Sequence, residues 1–116
     1  MTFLCYPKCS TCQKAKAFLE ANALPYQLRD ISLQHPTQDE LRTWQKQSGL
    51  PLRKFFNTSG LKYRELALKD RLHTMSEEEQ LALLATDGML VKRPILVHDD
   101  GILLGFREEA WRTALL

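Results

Sequence analysis

Cys9 and Cys12 stand three positions apart in the stretch YPKCSTCQKAKAFLE, Tyr6 to Glu20, where a short apolar run gives way to a helical pattern. Thiols one helical turn apart face the same way, which leaves three readings open at this point: a redox pair, two metal ligands, or two unreactive buried thiols. A thiolate at a helix N-terminus is stabilised by unpaired backbone N–H groups and by the positive end of the helix dipole. Cys9 falls at that point with Lys8 beside it, so its pKa is expected to be lowered. A fall of about two units from ~8.5 raises the thiolate fraction at neutral pH about 20-fold, while weaker intrinsic nucleophilicity offsets roughly 8-fold of that. The larger advantage is geometric, because Cys12 can attack a mixed disulfide or another sulfur adduct on Cys9 without leaving the chain. Cys9 is therefore the expected nucleophile and Cys12 the resolving thiol.

Cys5 adds a third thiol and completes the spacing C-x3-C-x2-C, which also resembles the cluster site of radical S-adenosylmethionine enzymes. Cys5 falls inside an expected strand, the chain is too short for the barrel of those enzymes, and no fourth cysteine completes a four-thiolate site. Cys5 accordingly reads as a small core residue. His35, His73 and His98 are widely separated and show no ligand spacing, so no metal site is expected and no bound cofactor is implied. The second informative position is Arg93-Pro94. A proline just before a strand suits a cis peptide bond at a tight turn, which would hold Arg93 facing the thiol loop as an anion binder. Lys8, Ser10 and Thr11 flank the thiols and join Arg93 in the expected anion site.

The elements that must position these groups are legible in the pattern. Thr2 to Tyr6 (TFLCY) reads as a buried first strand ended by Pro7. Ser10 with Gln13 forms a capping-box pattern, and Ala15, Phe18, Leu19 and Ala23 then recur at helical spacing. Pro25 to Asp30 reads as a second strand, parallel to the first after a crossover of ordinary length. Thr37 with Glu40 caps a helix running through Leu41 and Trp44 to about Ser48, with Gly49 as its stop. The stretch FFNTSGLKYREL suggests a structured loop and a short helix. Ser76 with Glu79 opens a further helix through Leu81, Leu83 and Leu84, which Gly88 is expected to close. Pro94 to His98 and Ile102 to Gly105 form a hairpin joined at Asp99-Asp100-Gly101, and Arg107 to Leu116 is a closing helix. The order βαβ, helices, ββ, α is that of a thioredoxin-like α/β fold with an inserted helical region, expected as a single domain over residues 1–116.

Composition bounds the rest. The 116 residues are 44% hydrophobic and 26% charged, an ordinary globular balance with enough chain for a core. Sixteen basic and 14 acidic residues are intermixed to a net charge of +2, which argues against nucleic acid as a direct partner. No apolar run approaches the roughly 18 to 20 residues needed to span a bilayer, and no signal-peptide order is present, so a cytoplasmic location is expected. Thiols there are kept reduced, which favours a catalytic, redox-sensing or metal-binding CxxC over a static disulfide.

YPKCSTCQKAKAFLE, FFNTSGLKYREL, DGMLVKRPILV and LLGF together resemble the arsenate reductase and Spx family of thioredoxin-fold proteins, across nearly the whole chain. The resemblance implies a reactive Cys9, Pro94 as the cis-proline of the fold, and an oxyanion or disulfide substrate. Thioredoxin, or glutathione with glutaredoxin, is the implied reductant. Glutaredoxin-linked arsenate reductases of the family surround the oxyanion with three arginines. Arg93 matches one, Asn57 stands at the second, and the third falls at or beside Phe106, with Arg107 one place later. Each arginine lost removes charge-assisted hydrogen bonds of roughly 1.5 to 3 kcal/mol. Asn57, Thr58, Ser59 and Gly60 either line the thiol site instead or form a turn that caps a helix. The CxxC pair is similar to that of the Spx branch, whose members bind RNA polymerase, so a redox-switched regulator contacting the α-subunit of the polymerase is the alternative reading.

Overall fold

Strand-forming residues at the N-terminus and near residue 95 build one sheet in the computed structural model, which describes residues 1–116. The strands are β1 (Thr2–Cys5), β2 (Gln27–Asp30), β3 (Ile95–His98) and β4 (Gly101–Leu104). Their order is β2-β1-β3-β4, with β1 parallel to β2 and antiparallel to β3, and β3 antiparallel to β4. The parallel pair needs a crossover, which α1 (Ser10–Ala21) supplies; the antiparallel pair needs only a tight turn. The closing helix of this unit runs over Glu108–Leu115. The mixed α/β fold is thioredoxin-like, with a helical region inserted between β2 and β3.

One compact unit comprises Met1–Asp30 with Arg93–Leu116, and a second comprises Ile31–Lys92. In the first, Phe3, Cys5, Cys12, Ala15, Phe18, Leu19, Leu96 and Trp111 form a buried cluster between the sheet and its helices. The Trp111 ring meets Phe3, Phe18 and Phe106 edge-on at centroid separations of 6.3, 6.2 and 5.0 Å, an arrangement favoured by the ring quadrupoles. Its buried Nε1 donates to the Gly105 carbonyl at 3.0 Å, so the polar atom enters the core with a partner.

The second unit is helical: α2 (Gln38–Ser48), α3 (Leu61–Glu65), α4 (Leu68–Arg71) and α5 (Glu77–Leu84), with 3₁₀ turns at Leu52–Phe55, Leu72–Thr74 and Gly88–Leu90. Both expected capping boxes form there. Thr37 and Ser76 each accept from the N3 amide, while Glu40 and Glu79 reach back to the cap N–H. Gly49 ends α2 in the left-handed region at φ +68, which only a residue without Cβ occupies at no cost. The closing helix of the sheet unit, Glu108–Leu115, is α6.

Four details differ from the sequence pattern. Cys9, not Ser10, is the N-cap of α1, and the Gln13 side chain donates to the Pro7 carbonyl at 2.8 Å instead of closing a box. Ala23 lies beyond α1, exposed at φ +53, because the helix ends at Ala21. Gly88 does not stop α5, which ends at Leu84 with Ala85 as C-cap. Gly88 instead opens a 3₁₀ turn against the Ile31 backbone carbonyl, where a Cβ has no room. In the hairpin His98 pairs with Gly101, so Asp99 and Asp100 alone form the loop and Gly101 belongs to β4. No helix is long and apolar enough to cross a membrane.

Candidate active site

The chain turns sharply between β1 and α1, and backbone bonds hold that turn. The Cys9 N–H donates to the Tyr6 carbonyl at 3.0 Å, and the Gln13 N–H donates to the Cys9 carbonyl at 3.1 Å. Cys9 keeps extended backbone angles (φ −91, ψ 121), so its side chain projects at the mouth of α1 without being wound into it. Cys9 is half-buried, whereas Cys12 on the first turn is fully buried. The Tyr6 N–H donates to Cys12 Sγ at 3.4 Å. None of the three cysteines is joined in a disulfide.

Surroundings separate the two sulfurs of the CxxC pair. Burial pushes the Cys9 thiol up, but it is outweighed by the Cys12 N–H, the Cys12 thiol, the Arg93 guanidinium and the Thr11 N–H, which together hold it below the ordinary thiol range. These amides do not close a formed cap on the neutral thiol; they favour the anion. Cys12 is pushed up to about 12, mainly by burial and then by the negative charge and hydrogen bond of Cys9, against the lowering effect of the Tyr6 N–H. Burial and the nearby Asp30 carboxylate also raise Cys5. One thiol of three is thus favoured to ionise, and it is the accessible one.

Arg93 comes to this thiol from the start of β3, which the antiparallel pairing with β1 sets beside the end of β1. The Arg93–Pro94 peptide bond is cis, Pro94 is buried, and β3 begins one residue later. The guanidinium carbon lies 5.1 Å from the centroid of the Tyr6 ring, a cation–π separation, with a side-chain hydrogen bond to Cys9. Tyr6 therefore serves as the platform under the arginine. Lys8, Ser10 and Thr11 are exposed around the same turn.

The remaining expected residues belong to other segments. Arg107 is exposed as the N-cap of α6, and Phe106 beside it is half-buried with its ring 5.9 Å from Phe18. Asn57 belongs to the helical unit. Its N–H donates to the Leu90 carbonyl at 2.8 Å, its carbonyl accepts from Gly60 at 3.1 Å, and its Oδ1 accepts from the Ser59 hydroxyl at 3.2 Å. Gly60 then caps α3, and a Cβ there would meet the Asn57 amide at 2.7 Å. That geometry is a turn leading into a helix.

Two participants escape the spacing argument. Tyr6 was visible only as the last residue of an apolar run, yet it supports Arg93 with its ring and Cys12 with its N–H. Cys5 is packed in the same buried cluster as Cys12, and the Cys12 thiol moderates the upward push that burial gives it. Strand alternation carried that signal, since Phe3 and Cys5 share the face covered by α1. No group of three or more His, Cys, Asp or Glu side chains is arranged to hold a metal ion.

Known proteins resemble this chain over nearly its whole length. An ArsC family related protein from Bacteroides fragilis superposes with a TM-score of 0.94 at 54% identity, covering 97% of this chain and 94% of that one. A possible arsenate reductase from Streptococcus mutans gives 0.87 at 50% identity, covering 96% of each chain. The global transcriptional regulator Spx of Staphylococcus epidermidis is 26% identical over 99% of this chain and 86% of its own length. The ArsC family profile matches residues 4–114, and with that match the chain belongs to the ArsC family.

Proposed function

We propose that this protein is a thiol–disulfide oxidoreductase of the ArsC type, with Cys9 as nucleophile and Cys12 as resolving thiol. The observation that carries the reading is the asymmetry of the pair: an accessible sulfur whose anion is stabilised, beside a fully buried one that keeps its proton. Cys9 Sγ attacks one sulfur of a substrate disulfide, and the other leaves as a thiolate. The adduct removes the negative charge and hydrogen bond of Cys9 that raise Cys12, so Cys12 yields its proton to solvent more readily. Its Sγ, still facing the Tyr6 N–H, then attacks Cys9 Sγ and expels the second thiolate. Arg93, Lys8 and the start of α1 hold negative charge during these steps, with Ser10 and Thr11 at the rim. Thioredoxin, or glutathione with glutaredoxin, reduces the Cys9–Cys12 disulfide in a reducing cytoplasm. An oxyanion such as arsenate is the other substrate class the family relationship supports.

The test is a redox titration of the two thiols by mass spectrometry of alkylated protein, run beside thioredoxin-coupled turnover of arsenate and of a small disulfide. A reversible Cys9–Cys12 disulfide with turnover is expected. Cys9→Ser should abolish turnover, and Cys12→Ser should trap the mixed disulfide on Cys9. Undiminished thiol-dependent activity in Cys9→Ser would sink the reading. A second reading, a redox-switched regulator, is favoured by the relationship to Spx. It predicts that the α-chain of RNA polymerase, through its C-terminal domain, is captured in one redox state, and no capture in either state would remove it.

A further inference from the structure

The proposed mechanism leaves one thiol unused, Cys5. The Cys12 thiol interacts with both Cys9 and Cys5, and the 3.4 Å contact of its Sγ with the Tyr6 N–H sets it beside the end of β1. Cys12 is the neighbour the other two thiols share. Cys5 and Cys12 are both part of the buried cluster under α1, at 3% and 0% exposure, and Cys9 packs against that cluster from the accessible side. The Tyr6 N–H that meets Cys12 Sγ at 3.4 Å belongs to the residue directly after Cys5, which keeps the end of β1 and the first turn of α1 close together.

We propose that Cys5 is a third working thiol: once Cys9 and Cys12 have joined, Cys5 Sγ displaces Cys9 from Cys12 Sγ and carries the disulfide into the core. The inference rests on the oxidoreductase reading above. The Cys5–Cys12 bond forms as the Cys9–Cys12 bond breaks, the electron pair goes to Cys9 Sγ, and the Cys5 proton passes to solvent. The number of disulfides is unchanged, so no oxidant is consumed. The sulfur expelled is the one whose anion the Cys12 and Thr11 amides and Arg93 stabilise, and the best leaving thiolate is the one with the lowest pKa. Cys9 is thereby regenerated as a nucleophile in a chain that is already oxidised.

Proton release sets the direction with pH. While Cys5 holds its proton and Cys9 does not, the ratio of Cys5–Cys12 to Cys9–Cys12 rises about tenfold per pH unit.

The sequence makes the exchange readable, because cleavage after Lys8 and Lys14 separates MTFLCYPK, holding Cys5, from CSTCQK, holding Cys9 and Cys12. Wild-type protein is treated with one equivalent of glutathione disulfide at several pH values, quenched in acid, alkylated, digested with trypsin and analysed by mass spectrometry. The expected sequence is a CSTCQK peptide with an internal disulfide, followed by a cross-link between the two peptides with Cys9 alkylated. The cross-link should increase with pH, and Cys5→Ala should abolish it while leaving the internal disulfide. An internal disulfide that persists at every pH with Cys5 always alkylated would overturn the relay and leave the oxidoreductase reading intact. Absence of any disulfide would overturn both.

Discussion

Within one turn of α1, a sulfur that keeps its charge stands beside one that keeps its proton, and the difference comes from what each touches. Cys9 meets two amides, the Cys12 thiol and the Arg93 guanidinium at the protein surface; Cys12 is enclosed by the core and faces the negative charge of Cys9. Because the Cys9 pKa is lowered, its alkylation by iodoacetamide should stay fast below the ordinary thiol range and fall only as pH drops through the lowered value. Arg93→Ala removes one stabiliser of the anion, so the midpoint moves up. The variant should react more slowly than wild type on the acid side of the wild-type midpoint, and the difference should close as pH rises above both midpoints. An unchanged midpoint would mean that the arginine stacks on Tyr6 without acting on the sulfur. At this scale the sequence was informative about Cys9, Cys12 and Arg93, since residue type and helix position already carry the chemistry. Strand alternation puts Cys5 on the face that α1 covers, but which α1 residue it is buried with depends on how strand and helix meet, which spacing along the chain does not encode.

Elements were legible where local chemistry alone decides them. Thr37 and Ser76 have no competitor for their N3 amides, so the capping boxes opening α2 and α5 form as the S/T-x-x-E pattern predicts. Thr37→Ala and Ser76→Ala should each cost about 1 kcal/mol, read as a lower urea midpoint at unchanged m-value, and the pair should be nearly additive. Ser10 and Gln13 carry a similar pattern and fail to form a box. The turn after β1 sets Cys9 at the cap, and the Gln13 amide bonds to Pro7, tying the turn to the helix. Both Gly49 and Gly88 looked like helix stops. Only Gly49 is one, because its positive φ is a local property, whereas Gly88 is required by the Ile31 carbonyl, far away in sequence.

At the scale of the whole chain, the helical insertion leaves the sheet after Asp30 and returns at Arg93, and its own ends meet where Gly88 backs onto Ile31. Gly88→Ala forces a methyl group against a backbone carbonyl that cannot rotate away, so a loss of about 1 to 3 kcal/mol is expected in denaturant unfolding. Wild-type stability in this variant would show that the loop relaxes freely. The insertion also has a consequence in time. β1 is paired on one side by β2, close in sequence, and on the other by β3, some ninety residues later. Strand pairings so distant in the chain form slowly. During synthesis the CxxC loop emerges from the ribosome long before Arg93 and β3 do, so the nascent chain presents its thiols without the guanidinium that later favours the Cys9 anion. Cys9 gains that stabiliser of its anion only when the last fifth of the protein has been made.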